Sequence, residues 1–475
     1  MYVYLFAQYP VPTFDWCNVA RATMDMLPDV ALLEMFHFYV DEYPRMAAWY
    51  TLVHVCRKWR NVVFGSPRRL NLRLWCNAST PVRERLDVWP QLPIAIVGDG
   101  EGKWGVDNLT AALKHNDRIC QINIWPVSSL QMEKVLAAMQ QPFPALIYLD
   151  LMAQGGTAAV MPASFLGGSA PALQKLTLDF ISFPGLPKLP LSTPHLVDLR
   201  LWDIPHSGYI SPEAMVSCLS ALTRLETLHI GFESPRSRPD RITRRPPPPL
   251  TRILLPALDT LEFTGVSEYL EDFVGRIDAP LLKKSEMTFF HQLIFDIPQL
   301  TQFIRRTPEF KAHNNLRVLF SGGIVWVTLP RTFVEELEYR ILCGPSDWLL
   351  SSMAQLCGSF FPQALFPALE HLYILEDGLS DWQDDIENSQ WLEVLHPFTV
   401  VKEFYISSTL IPRIVPALQE LVGERVIEVL PALQTLFLEE PLPSGPVQES
   451  IGQFVAARQL AGHSIVVSRW DGRIE

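Results

Sequence analysis

Leu173-Gln174-Lys175-Leu176-Thr177-Leu178 decides the architecture. Apolar residues stand at its first, fourth and sixth positions, and the last three residues alternate with the period of a strand that buries one face. The same spacing returns at Leu196–Leu201 (LVDLRL), Leu225–Ile230 (LETLHI), Leu258–Phe263 (LDTLEF), Leu369–Ile374 (LEHLYI), Val401–Ile406 (VKEFYI) and Leu433–Leu438 (LQTLFL). Upstream, Ile119–Ile124 (ICQINI) and Leu146–Leu151 (LIYLDL) belong to the set, and weaker copies start at Leu282, Leu316 and Val334. Most of the intervals are 23 to 35 residues. Helical patterns lie between strands. Val106–Lys114 (VDNLTAALK) has Asp107 as its expected N-cap, and Pro212–Ser220 (PEAMVSCLS) puts proline early in a helix. A strand, loop and helix repeated in this way cannot bury its apolar face alone, so neighbouring units must stack.

Over roughly residues 90–440 the pattern resembles irregular leucine-rich repeats. The resemblance implies an α/β fold: an irregular horseshoe solenoid of parallel strands with intervening helices, taken here as residues 76–440. Residues 441–475 are expected to cap it. The position eight residues after the first leucine, usually Asn or Cys in such repeats, holds Ile181, Ile204, Glu233 and Val266, so no asparagine ladder fixes the turn. Ser285 falls on a core position and predicts local strain or a shifted register.

Proline makes up 40 of the 475 residues, yet 48% of the chain is hydrophobic and 19% charged, which excludes wholesale disorder. Pro144, Pro171, Pro194, Pro256, Pro280, Pro367 and Pro431 each precede a repeat's first apolar residue by two. They are expected to end the preceding element and hold the chain extended. Only Arg236–Pro249 (RSRPDRITRRPPPP) is low in complexity, an exposed insertion expected within 234–250.

The net charge of −12 disfavours nucleic acid and anionic membrane as partners. Seven scattered cysteines without a C-x-x-C pair point to reduced thiols and a cytoplasmic or nuclear setting. Residues 1–24 form an N-terminal extension without the basic region of a signal peptide, and no apolar run reaches the length of a membrane span.

Residues 25–75 differ from the rest. Leu27-Pro28 opens a helical pattern that carries Leu32, Leu33 and Phe36, and a second pattern over 52–63 puts Leu52, Cys56, Trp59 and Val63 on one stripe. So small an all-α unit has little core of its own and is expected to dock on a partner. Its order of residues, Leu27, Pro28, Leu32, Leu33, Phe36, Val55, Cys56 and Trp59, followed by Ser66-Pro67 and Leu74-Trp75, resembles an F-box. Asp41–Tyr50 (DEYPRMAAWY) departs from the family's shorter acidic turn. An F-box ahead of leucine-rich repeats is similar to the F-box proteins abundant in mushroom-forming fungi. The resemblance implies a substrate-recognition subunit of an SCF-type ubiquitin ligase. The eight residues would meet a Skp adaptor, which links to cullin and a RING subunit, and the repeats would present a target protein for ubiquitination. A repeat scaffold that never joins a ligase stays open as the alternative.

By strand alternation the target-binding face carries Tyr148, Asp150, Lys175, Asp198, Arg200, His229, Glu262, His371, Tyr373, Glu403 and Tyr405. Their mixture of charge and aromatic character suits protein recognition. No catalytic, cofactor or metal constellation emerges. Val97–Lys103 (VGDGEGK) lacks the first glycine of a phosphate loop, and Trp104 stands where Ser or Thr would hold magnesium. Cys343, Cys357 and His371 lack metal-ligand spacing, and His54 falls on a different helix face from Cys56. The chain is expected to be non-catalytic.

Overall fold

The computed structural model describes residues 27–42, 48–65, 72–79, 81–88, 91, 93–97, 105–184, 193–235, 251–290, 295–330, 336–342, 347–360, 366, 368–378, 387–421, 423–439 and 445–472. Residues 1–24, the glycine turn at 98–103 and the insertion at 236–249 lie outside them.

Among the described residues, sixteen strands form one sheet. The first nine are β1 (Leu72–Trp75), β2 (Ile94–Val97), β3 (Ile119–Ser128), β4 (Tyr148–Gln154), β5 (Lys175–Asp179), β6 (Asp198–Ile204), β7 (Thr227–Phe232), β8 (Thr260–Gly265) and β9 (Lys284–Phe290). They are followed by β10 (Asn315–Ser321), β11 (Ile324–Pro330), β12 (Glu336–Leu342), β13 (His371–Glu376), β14 (Glu403–Ile406), β15 (Thr435–Glu439) and β16 (Val466–Trp470). Strands β1 to β9 are parallel and adjacent in chain order, as are β13 to β16. The alternation read from the sequence holds: Leu149, Leu151, Leu176, Leu178, Leu199, Leu201, Leu228 and Ile230 are at most 1% exposed.

The prolines act differently from the extended spacers expected of them. Pro144, Pro171, Pro194, Pro256, Pro280 and Pro431 each occupy the second position of a β-turn. The turn's fourth residue, the repeat's first leucine, donates its N–H back to the residue before the proline, as in Leu146 N to Phe143 O at 3.2 Å and Leu173 N to Ala170 O at 3.1 Å. Proline suits that position because its ring presets φ near −65° and no N–H is needed there.

Backbone does the work that the missing asparagine ladder would do. At each strand start one carbonyl accepts two N–H groups from the next repeat: Ile147 O from Gln174 and Lys175, Gln174 O from Val197 and Asp198, Val197 O from Glu226 and Thr227. The pattern continues through Glu226, Asp259, Glu370 and Lys402. At the far end of the strand, Ile181 and Ile204 are fully buried and fill with apolar contact the place an asparagine would occupy.

Among the described strands the parallel array is interrupted once. Strand order runs β9-β12-β11-β10-β13, with β11 antiparallel to both neighbours. Gly322 and Gly323, with φ of 51° and 84°, connect β10 to β11. Two consecutive positive φ values make the tight hairpin turn that matches strand twist, and glycine adopts them without strain. Leu316 therefore does not open a repeat as expected. It pairs with Leu372, the fourth position of its repeat. Ser285 keeps the regular register between Leu261 and Leu337, fully buried, with no partner for its hydroxyl among the described residues.

Helices α1 (Asp29–Glu42), α2 (Ala48–Val55) and α3 (Arg57–Gly65) precede the sheet; α4 (Val82–Val88), α5 (Val106–Leu113) and α6 (Ser129–Ala138) pack beside its first strands. Then come α7 (Pro212–Leu219), α8 (Ser267–Val274), α9 (Pro298–Arg306), α10 (Asp347–Phe360), α11 (Asn388–Leu395), α12 (Ile411–Gln419) and α13 (Pro446–Leu460). Ser211 caps α7, its hydroxyl accepting from Ala214 N at 3.2 Å. Asp107 is not the cap of α5 but sits in its first turn; the cap is Gly105, where a Cβ would meet Asn77 O at 2.6 Å. Glu271 of α8, 1% exposed, accepts from Gln299 N at 2.9 Å and Leu300 N at 2.7 Å and so caps α9 from the preceding repeat. Helices need about 8–10 Å between axes and strands about 4.8 Å, so the helical layer curves the sheet toward its own open face. Between α6 and α7 the described residues of the outer layer form short turns, among them Phe165–Gly168 and His206–Gly208, and a parallel pair of two-residue strands, Ala159–Val160 and Ile181–Ser182.

Candidate functional site

The helical unit has its own core of Leu32, Leu33, Phe36, Leu52, Val53, Val62 and Val63, separate from that of the sheet. This corrects part of the expected docking stripe. Leu32, Leu33 and Phe36 are at most 5% exposed, so three helices of this length spend them on one another. Trp59 is partly buried against the same core, its ring 4.7 Å from that of Phe36. Leu27 is half-buried, with its carbonyl accepting from Lys58 Nζ at 2.8 Å. The expected single helix over 52–63 divides at Cys56, whose Sγ accepts from Trp59 N at 3.4 Å and starts α3. Of the eight residues, Pro28 and Val55 are exposed and Cys56 is half-buried. The outward apolar face consists instead of Val30, Met35 and Phe38 on α1, with Val55 and Phe64 also exposed; Phe38 is 72% exposed. Leu74 and Trp75, read above as the end of this unit, lie on β1 of the sheet.

On the open face of the sheet the expected residues fall into two groups on either side of the antiparallel interruption. In the first, register aligns Tyr148 with Lys175 and Asp198, and Asp150 with Thr177, Arg200, His229 and Glu262. Tyr148 donates its hydroxyl to Asp150 at 3.0 Å, and Arg200 Nε donates to Asp198 at 2.9 Å. Burial raises the Tyr148 phenol to about 12, with Asp150 adding to the effect. Arg200 is raised first by its hydrogen bond to Asp198. His229 is a correction: at 3% exposed it is not a surface contact. Its ring stacks under Trp202 at 3.4 Å between centroids, and Nδ1 lies 3.1 Å from Glu262 Oε2. That hydrogen bond is the leading cause that lowers the Glu262 carboxyl. The row continues as an alternation of charge, with Lys284 between Glu262 and Glu286, and Arg340 between Glu286 and Glu338.

In the second group His371 Nδ1 lies 2.8 Å from Glu403 Oε2, which also accepts from the Tyr405 hydroxyl at 2.7 Å. Tyr373, Tyr405 and Phe437 stack across three strands at 4.2 and 4.3 Å, with Trp470 set edge-on against both tyrosines. This group makes a flat aromatic ladder.

The first group lines a hollow of about 590 Å³ over β4 to β6. Besides the five expected residues Tyr148, Asp150, Lys175, Asp198 and Arg200, it is walled by Trp125, Met152, Asp179 and Trp202, which the sequence reading missed. Met152, Asp179 and Trp202 form the next outward row, one alternation further along the strands. Carrying the same parity two residues on would have found them. Local irregularity sets the tryptophans. The register between β3 and β4 shifts between Ile124 and Val127, and that between β6 and β7 between Leu201 and Ile204. Such bulges re-aim side chains. Trp125 is 44% exposed there.

Among the described residues, no group of three or more His, Cys, Asp or Glu side chains is placed to hold a metal ion, and no helix is long and apolar enough to cross a membrane. Among the described residues, Cys56, Cys76, Cys120, Cys218 and Cys357 take part in no disulfide. Burial pushes Cys76 and Cys218 up to about 12 and Cys120 to about 11, far from a reactive thiolate.

No protein-family model matches the chain, and no curated protein matches it significantly. Among solved structures it is similar to the leucine-rich repeat-containing protein LegL7 from Legionella pneumophila, with 11% identity and a TM-score of 0.27 over 80% of this chain and 97% of that one. It is also similar to the complex of Rad7 and Elc1 in yeast, with 11% identity and a TM-score of 0.28 over 88% of this chain and 91% of that one. Likeness at this level carries no functional argument.

Proposed function

We propose that this chain is a substrate-recognition subunit of an SCF-type ubiquitin ligase, its N-terminal helices docking on a Skp adaptor and its sheet face taking a target protein. The observation that carries the reading is the division of labour within α1. Leu32, Leu33 and Phe36 close a core of seven residues, while Val30, Met35 and Phe38 remain outside. Apolar residues left outward on a helix that has already filled its own core are suited to a partner's groove. This arrangement stands on a segment whose motif resembles an F-box, ahead of a repeat array with a polar and aromatic open face. In this reading the chain performs no chemistry itself, needs no cofactor, and works in the cytoplasm or nucleus by holding a target near a cullin–RING catalytic assembly.

The test is capture of a purified Skp adaptor by the full chain. Phe38→Asp and Met35→Asp are expected to weaken capture by at least about tenfold, since desolvated apolar anchors are worth roughly 1.4 kcal/mol or more each. Leu33→Asp is unsuitable because it would place a charge in the helical core. No capture by the unaltered chain would leave it as a repeat scaffold outside the ligase, and capture at full strength by both surface variants would overturn the outward face of α1 as the docking surface.

A further inference from the structure

We propose that the hollow over β4 to β6 receives one arginine side chain of a protein target, its guanidinium held against Trp125 and Trp202 with Asp179 as counter-ion. The proposal deepens the target-binding half of the reading above. It rests on that reading only for the identity of the protein that carries the arginine.

Asp179 is the centre of the argument. In the sheet it sits directly between Met152 on one side and Trp202 on the other. Among the described residues its carboxylate has no hydrogen bond and no ion pair, and the charges that act on it are Asp150 and Asp203, both negative. The two cations in the wall do not serve it. Arg200 is engaged by Asp198 at 2.9 Å, and Lys175 stands four residues back along the same strand, paired in register with Tyr148 and Asp198. The lining holds three carboxylates (Asp150, Asp179, Asp198) against two cations (Lys175, Arg200), so one negative charge is left over, with Asp203 just beyond. An anion, phosphate included, is repelled from such a place, and a cation is drawn in.

The tryptophans narrow the cation to an arginine. Trp202 is fixed from behind by the stacked ring of His229 at 3.4 Å. Trp125 offers a half-open indole at a strand bulge. Indole faces attract cations, and a planar guanidinium can stack on an indole while its fork of N–H groups meets a carboxylate edge-on. An ammonium makes the charge contact without the stacking. The hollow, at about 590 Å³, takes an extended side chain with the backbone of the segment that bears it.

The proposal is tested on the purified full chain with N-acetyl-arginine methylamide as probe and N-acetyl-citrulline methylamide, which is neutral and of the same shape, as its counterpart. Titration calorimetry and tryptophan fluorescence at pH 7.5 are expected to give saturable binding of the arginine probe. Its dissociation constant should be on the order of 1 mM, the range open to a fragment of that size. Citrulline should bind at least about tenfold more weakly, since it lacks the charge-assisted hydrogen bond. Asp179→Asn should weaken the arginine probe at least about tenfold, Trp125→Leu several-fold, and Glu286→Gln, on the same face outside the hollow, not at all. Equal binding of arginine and citrulline, no saturable binding, or undiminished binding by a folded Asp179→Asn chain overturns the proposal. Adaptor capture is scored separately. Arginine binding without capture sinks the ligase and keeps the pocket, and capture without arginine binding does the reverse.

Discussion

Asp179 should weigh on stability in a way that titration can read. Burial first, then the carboxylates of Asp203 and Asp150, push it up to about 6 in the folded chain, against about 3.9 in an unfolded one. The folded state thus binds this proton more tightly than the unfolded state. Below about pH 4 the group is protonated in both and contributes nothing. Between about pH 4 and 6 stability falls as pH rises, and above that the full penalty is present. Two pKa units set a ceiling of about 3 kcal/mol, and solvent at the open side of the hollow screens this to about 1 kcal/mol. Asp179→Asn keeps the shape and removes the charge. Urea unfolding followed by tryptophan fluorescence should therefore show the variant more stable by about 1 kcal/mol at pH 7.5 and equal to the parent at pH 4. Hydrogen exchange over Lys175–Asp179 localises the change, which matters because repeat arrays can unfold in parts. A variant less stable than the parent at pH 7.5, or one whose gain does not vary with pH, refutes the assignment of Asp179 as an unneutralised carboxylate.

Glu271→Ala removes the acceptor for Gln299 N and Leu300 N at the start of α9; a loss of about 2–4 kcal/mol is expected, seen as faster exchange in Pro298–Arg306 while β4 to β6 stay protected. Ser285→Ala deletes a fully buried hydroxyl without a partner and should stabilise the chain by about 1 kcal/mol in the same unfolding assay. Iodoacetamide at pH 7.5 should leave Cys76, Cys120 and Cys218 unmodified in the native chain and label them in urea, as mass spectrometry of digests would record; labelling of the native chain at these sites would contradict their burial.

Much of the solenoid was legible because its rule is local. Leu173, Leu176 and Leu178 report which side of one strand is buried, and the copies report that many strands do the same. The same parity names five residues of the hollow, Tyr148, Asp150, Lys175, Asp198 and Arg200. The helical unit was legible as a segment but not in its allocation of side chains. Leu33 and Phe38 are both apolar residues of α1, and which one is spent on the core depends on where α2 and α3 lie. Gly322-Gly323 carried a readable hairpin signal between two alternating runs, and it marks the place where the parallel order breaks among the described strands.

By itself, the sequence determined the repeat and its buried face, since an apolar alternation fixes which side of each strand turns inward; the shifted register at Leu316 came from the tertiary structure. Tertiary structure alone decided that Trp125, Asp179 and Trp202 share a hollow, with His229 hidden beneath one of its walls. Their placement follows from two strand bulges and from stacking between neighbouring repeats. Those are relations among residues 23 to 104 positions apart in the chain, and no local period records them.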